Sequence, residues 1–105
     1  MPNRLNNWTF KNAVGILTAN YFTLRNIEGS HHYYVGKVAG KICVVEVQFH
    51  ANKSIPTKTL QHSIIPKSGI PQDYWIKNCS NIKKCKPYKN SEPFDVEDLP
   101  DDSKP

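Results

Sequence analysis

The chain has 105 residues, of which 38% are hydrophobic and 22% are charged, with a net charge of +5. This length supports one small domain with a single core rather than two, and the composition excludes a wholly disordered chain and a membrane protein. No apolar run approaches the roughly 20 residues that span a bilayer, and the first seven residues lack the apolar centre of a signal peptide, so we expect a cytoplasmic protein with no membrane partner.

The first predicted element is an amphipathic helix from Trp8 to Tyr21. Its apolar residues recur at helical spacing, and Thr9 or Asn7 is available as the N-cap. Gly15 lies within this helix, although glycine costs up to about 1 kcal/mol there relative to alanine. The regularly spaced apolar residues are Phe10, Ala13, Val14 and Leu17.

Three antiparallel strands are predicted next. Residues 21–27, 32–38 and 41–49 are rich in aromatic and β-branched side chains, and Ala39-Gly40 joins the last two as a tight hairpin. The first two strands do not phase cleanly, which leaves open whether His31 or His32 points to solvent. In the third strand, Cys43, Val45, Val47 and Phe49 alternate with Val44, Glu46, Gln48 and His50, which predicts one core face and one wetter face.

A second helix and a short final helix complete the predicted fold. Thr57 can cap a short helix that contains Leu60, Ile64 and Ile65, and Pro66 should end or kink it. Pro71 opens a last helical turn over residues 72–77. The fold class is therefore α+β, with an α-β-β-β-α order, a three-stranded antiparallel sheet and a short extra C-terminal helix. Residues 1–78 form the domain, and residues 79–105 read as a largely disordered extension.

The cysteines indicate neither a disulfide framework nor a metal site. Their number is odd, and Cys43 lies in an apolar strand, where a buried thiol is ordinary. Cys79 and Cys85 lack the second cysteine pair or nearby histidine that would complete a zinc site. We predict no metal and no cofactor.

The charge distribution favours a partner rich in phosphate. Residues 1–78 carry nine Lys or Arg against three acids, residues 79–90 add four lysines, and residues 91–105 hold six acids against one lysine. A basic body attracts nucleic acid through counterion release, whatever the base sequence. A solvated basic surface without such a partner is about as common.

Histidines are the candidate catalytic residues. The chain has no paired carboxylates, serine-histidine-aspartate order or glycine-rich phosphate loop to accompany them. Histidine has an unperturbed pKa of about 6.5, so it can take and return a proton near neutral pH. RNA supplies its own nucleophile, the 2′-hydroxyl, and therefore needs only a base, an acid and positive charge for cleavage. The four histidines are His31, His32, His50 and His62.

Gly29-Ser30-His31-His32 is predicted at a turn between two strands, where side chains are exposed and held in place. On spacing alone, adjacent histidines at a strand start are more simply explained as polar strand residues. The wider order of motifs, however, resembles the HicA (YcfA-like) toxin family of type II toxin–antitoxin systems over roughly two-thirds of the chain, residues 10–77. The further matching segments are His50 near a strand end, Thr59-Leu60-Gln61-His62-Ser63-Ile64 and Gly69-Ile70.

This resemblance implies a double-stranded-RNA-binding-domain-like fold and metal-independent cleavage of messenger RNA. It also implies inhibition by a HicB-like antitoxin that covers the active site, and we expect a monomer when free. The family's catalytic histidine directly follows Gly-Ser, which makes it His31 here. The chain departs from the family in having Lys58 where glycine is usual, Pro66 in the second helix, and residues 79–105, which have no counterpart in short members.

Auxiliary or substrate-binding roles are predicted for a further group of residues. Gly29 and Ser30 shape the turn, His32 is a strand residue or phosphate contact, and His50 binds phosphate, shuttles a proton or has no role. Two other functions stay open: a non-catalytic RNA-binding module of the same fold, and a protein-interaction domain that docks through its acidic tail. The candidates for the phosphate path are Arg25, Lys37, Lys41, Lys53 and Lys58.

Overall fold

The computed structural model describes residues 3–50 and 53–93, which form an α+β fold. A three-stranded antiparallel sheet with flanking helices is compatible with the predicted α-β-β-β-α layout. None of the described helices has the length and apolar character to cross a membrane. The elements are α1 (Phe10–Ala19), β1 (Thr23–Glu28), β2 (His31–Val38), β3 (Lys41–Gln48), α2 (Thr57–Thr59), a π-helical segment (Leu60–Ile64), α3 (Ile65–Ser68), α4 (Gln72–Lys77), a 3₁₀ turn (Ile82–Lys84) and β4 (Ser91–Glu92).

Helix α1 is two residues shorter at each end than the predicted helix, and Thr9 is its N-cap. The Thr9 hydroxyl accepts the Asn12 backbone N–H, and the Asn12 side chain accepts the Thr9 N–H, which is a reciprocal capping box. Gly15 is explained by packing, because a Cβ atom there would lie 2.7 Å from Cγ2 of Ile82. Glycine lowers the stability of the helix at this position, but it allows the 3₁₀ turn that contains Ile82 to pack closely against α1.

The sheet has the strand order β1-β2-β3, with the short β4 paired to the end of β2. Ala39 and Gly40 both have positive φ, 52° and 78°, which suits a two-residue hairpin whose twist matches that of the strands. Gly29, with φ 60°, and Ser30 form the other two-residue turn, between β1 and β2. The predicted hairpin at residues 39–40 is confirmed.

The core lies between one face of the sheet and the helices, and the opposite face, here called the outer face, carries more polar side chains. Val45 and Val47 are fully buried, as their alternation predicts. Phe49 is 44% exposed instead of buried, because β3 ends at Gln48 and the Phe49 ring packs beside Phe10 and His32 at the margin of the core. Two buried tryptophans, Trp8 and Trp75, pack with ring centroids 5.5 Å apart.

Elements α2, the π-helical segment and α3 run continuously over residues 57–68 and are called the composite helix. Of the two predicted effects of Pro66, an end or a kink, the end does not occur, since the helix runs on to Ser68 and closes at Gly69 with φ 72°. Proline lacks the N–H that an α-helix needs at this position, and the wider π turn just before it changes the bonding pattern locally. Thr57 is also not the N-cap, because its hydroxyl donates to Asn6 Oδ1 at 3.0 Å.

Residues 79–93, the first part of the extension predicted from residue 79, contact the rest of the domain. Fully buried Asn20 accepts the Tyr88 N–H at 2.7 Å and the Ser91 hydroxyl at 2.6 Å. Burial raises the pKa of Tyr74 to about 12, so its hydroxyl remains a donor to the Lys86 carbonyl at 2.5 Å. These hydrogen bonds join residues 79–93 to α1 and α4. The remainder of the predicted extension, residues 94–105 with five of its acids, lies outside the described residues.

Candidate active site

His31 is the first residue of β2 and directly follows the Gly29-Ser30 turn. It lies on the outer face, between Glu28 of β1 and Gln48 of β3 in the strand register. The end of the turn is held to β3, because the Phe49 N–H donates to the Ser30 carbonyl at 2.7 Å. The His31 side chain is 44% exposed, so a substrate can reach it while the strand fixes its backbone.

A hydrogen bond joins His31 to Glu46 of β3. Nδ1 of His31 lies 2.6 Å from Oε2 of Glu46, and within residues 3–50 and 53–93 no other basic group contacts a carboxylate. Since the carboxylate only accepts, Nδ1 carries the proton, and in the neutral ring Nε2 is left as the acceptor. The pair therefore presents an oriented imidazole nitrogen that can take up or return a proton.

Glu46 is the residue of this candidate site that the sequence pattern did not single out. The alternation in β3 correctly placed it on the wetter face, but its pairing with a residue 15 positions earlier depends on the register between β2 and β3. No local pattern specifies that register. The one available signal was an acidic residue on the wetter face of a strand whose partner begins with a histidine.

Tyr33 stands beside the pair on the same face and is opposite Glu46 in the register. Loss of solvent contact, together with the negative charges of Glu46 and Glu28, raises the pKa of Tyr33 above its ordinary value. Its hydroxyl is thus protonated throughout the physiological pH range. The protonated hydroxyl is a hydrogen-bond donor, and Glu46, opposite it in the register, is an acceptor that contributes to the raised pKa.

His32 lies on the opposite face of β2 from His31. The sequence left open which of the two points to solvent, and in the structure it is His31. Its ring packs against Phe10 and Phe49, with centroid distances of 4.9 and 5.9 Å. Its Nδ1 atom is buried and has no hydrogen-bond partner among the described residues. His32 is therefore a packing residue of the strand and is not part of the site around His31. Tyr34, two residues further along β2 on the same face as His32, is buried at 8% exposure.

A cleft of about 210 Å³ opens beside the pair, between β3 and the composite helix. His50, a predicted auxiliary residue, lines this cleft together with Glu46 and Gln48 of the outer face. Lys67 of α3 lies on the helix side, although the sequence analysis did not single it out. Glu46 connects this cleft to His31, because it lines the cleft and its carboxylate bonds to the imidazole.

The predicted basic residues do not converge on His31. Lys37 is six residues further along β2, about 20 Å at the usual strand rise, and is paired with Glu92 of β4. Arg25 occupies a β-bulge in the edge strand β1. Lys53 and Lys58 are exposed but do not line the cleft. The structure brings together His31, Glu46, Tyr33, Gln48 and Ser30, with His50 in the adjoining cleft.

Burial raises the pKa of the Cys43 thiol, which makes it a poor nucleophile. Within residues 3–50 and 53–93, no group of three or more His, Cys, Asp or Glu side chains is placed to hold a metal ion. Comparison of the chain with protein-family models, curated proteins and solved structures finds no match.

Proposed function

We propose that this protein is a HicA-like toxin, an endoribonuclease that cleaves messenger RNA through His31 without a metal ion. In this proposal the layout of helices and strands is a double-stranded-RNA-binding-domain-like fold. A HicB-like antitoxin restrains the toxin in the cytoplasm by covering His31, and the free toxin is a monomer. The observation that carries the proposal is the exposed His31 ring, held by Glu46 through Nδ1 with Nε2 available.

The proposed reaction uses the nucleophile that RNA itself contains. Nε2 of His31 takes the proton of a 2′-hydroxyl, the 2′-oxygen attacks the adjacent phosphorus, and the bond from phosphorus to the 5′-oxygen breaks. The proton then passes to the leaving 5′-oxygen, directly from the imidazolium or through water, which yields a 2′,3′-cyclic phosphate and a 5′-hydroxyl. Glu46 stabilises the imidazolium formed in the first step, and the Tyr33 hydroxyl donates to a phosphate oxygen.

One observation favours the second candidate, a non-catalytic RNA-binding module of the same fold. Arg25, Lys37, Lys53 and Lys58 are spread over the surface instead of surrounding His31. Dispersed positive charge suits binding along an RNA backbone, whereas cleavage gains most from charge concentrated at one phosphate. The two candidates differ in one measurable property, which is chain scission.

The deciding experiment incubates the purified protein with end-labelled single-stranded RNA in excess EDTA. We expect cleavage with 2′,3′-cyclic phosphate ends, because the attacking group belongs to the substrate and needs no metal-activated water. The matched substrate carries a single 2′-deoxynucleotide at the mapped cleavage position and should resist cleavage there. Cleavage that stops in EDTA and returns with magnesium contradicts the mechanism, and RNA binding without any cleavage supports the non-catalytic module.

A second prediction concerns the hydrogen bond to the catalytic histidine. The substitution Glu46→Gln should lower kcat by about 10- to 100-fold, because the amide cannot stabilise the imidazolium and no longer selects one ring tautomer. KM and the melting temperature should change little, since Glu46 is 42% exposed. Steady-state kinetics with a short RNA provide the test.

Glu28→Gln is the matched control, because Glu28 is also an outer-face carboxylate next to His31 in the register but bonds to Asn26 instead. Its rate should stay close to that of the parent. If Glu46→Gln and Glu28→Gln reduce kcat equally, general negative charge at this face is responsible and the specific role of Glu46 is wrong.

A further inference from the structure

The cleft beside Glu46 combines basic, polar and apolar walls in a way that suits one nucleotide. We propose that it binds the nucleotide adjoining the cleaved phosphodiester, with Lys67 and His50 on the phosphate and the base against the apolar wall. This inference rests on RNA being the substrate, as proposed above. It assigns a role in substrate binding to Lys67, which no sequence motif indicated.

The position of the cleft follows from the strand register. Gln48 lies directly opposite His31 on β3 and also lines the cleft, as does Glu46. Because β3 is the edge of the β1-β2-β3 order, an RNA chain that leaves His31 across this edge meets the cleft next. The nucleotide bound there would be a close neighbour of the scissile bond.

The charges in the cleft favour a phosphate on the side away from Glu46. Within the described residues, neither Lys67 nor His50 contacts a carboxylate, so both can pair with an incoming anion. Glu46, the acidic residue of the lining, is already bonded to His31. A lysine ammonium is a common phosphate ligand, whereas a merely solvated Lys67 would contribute to RNA binding no more than any other exposed lysine.

The other walls suit a base. Ile55 and Pro56 supply apolar surface against which a base can lie, and the hydroxyls of Thr59 and Ser63 face the same space. Neither hydroxyl donates or accepts a side-chain hydrogen bond among residues 3–50 and 53–93, so both can bond to the edge of a base. At about 210 Å³ the cleft is smaller than the roughly 300–1,000 Å³ of pockets that enclose whole ligands, which fits one unit of a longer chain.

The experiment measures binding and cleavage separately. Binding of a ten-nucleotide RNA is measured in the His31→Ala background, where the RNA stays intact, with and without Lys67→Gln. We expect Lys67→Gln to weaken binding about tenfold, as for the loss of one charge-assisted contact. The slope of log affinity against log salt concentration should fall by about one, as for the loss of one phosphate contact. In the presence of His31, the same substitution should raise KM with kcat unchanged.

The control is Lys83→Gln, which removes the same charge from an exposed lysine of the 3₁₀ turn outside the cleft and should change affinity less than twofold. Equal effects of Lys67→Gln and Lys83→Gln, with RNA still cleaved, overturn the cleft assignment and leave the proposed function standing. A specific effect of Lys67→Gln on binding without cleavage by any variant supports the cleft and overturns the enzyme. The absence of RNA binding by the parent chain overturns both.

Discussion

Replacing His31 with alanine is expected to lower the rate of RNA cleavage by about a thousandfold, within the range that general acid–base groups contribute. The fold should be retained, because the side chain is 44% exposed and its one side-chain hydrogen bond within residues 3–50 and 53–93 is to Glu46. The measurement is single-turnover cleavage of a labelled RNA, with the melting temperature of each protein recorded alongside. Loss of growth inhibition on expression should accompany the loss of cleavage.

Two other histidines make this test specific. His62→Ala is the control, since His62 is exposed on the composite helix away from the pair, and it should cleave like the parent. His32→Ala should lose packing with Phe10 and Phe49, a cost of roughly 0.5–1.5 kcal/mol per aromatic contact, while cleavage persists. An inactive His32→Ala with an active His31→Ala would reverse the assignment.

The second large effect is expected on removing residues 79–105. Ending the chain at Asn78 should lower the free energy of unfolding by about 3–5 kcal/mol, a large part of the roughly 5–15 kcal/mol of a small domain. The buried Asn20 oxygen loses both of its partners, and Ile82 and Tyr88 leave their contacts with α1 and Tyr74. Urea denaturation followed by circular dichroism measures the change.

A chain that ends at Pro93 is the matched control, because it keeps every contact described for residues 79–93. Its urea midpoint should be close to that of the full chain. Asn20→Ala tests the anchor alone and should reproduce part of the loss, about 1–3 kcal/mol for a disrupted buried hydrogen-bond centre. If the chain ending at Asn78 unfolds at the same urea concentration as the full chain, residues 79–93 add no stability and the domain ends at residue 78 as first predicted.

Local sequence signals determined most of the secondary structure. The Ala39-Gly40 hairpin forms because glycine, between two β-branched runs, readily adopts the positive φ of the turn. Thr9 precedes α1 because its hydroxyl can accept a hydrogen bond from a free N–H group of the first turn. Helix α4 has the predicted bounds Gln72–Lys77, directly after Pro71. Each of these features depends on residues only a few positions apart, which is why it is legible in the sequence.

The tertiary structure decided the features that join distant parts of the chain. Strand pairing placed His31 on the outer face and His32 against the core, a choice that a one-residue shift in register would reverse. The same pairing brought Glu46 to His31 across 15 residues. Asn20 likewise anchors Ser91 across 71 residues. The sequence by itself thus determined the elements and a candidate histidine, and packing and register, which are non-local, determined its partner and its exposure.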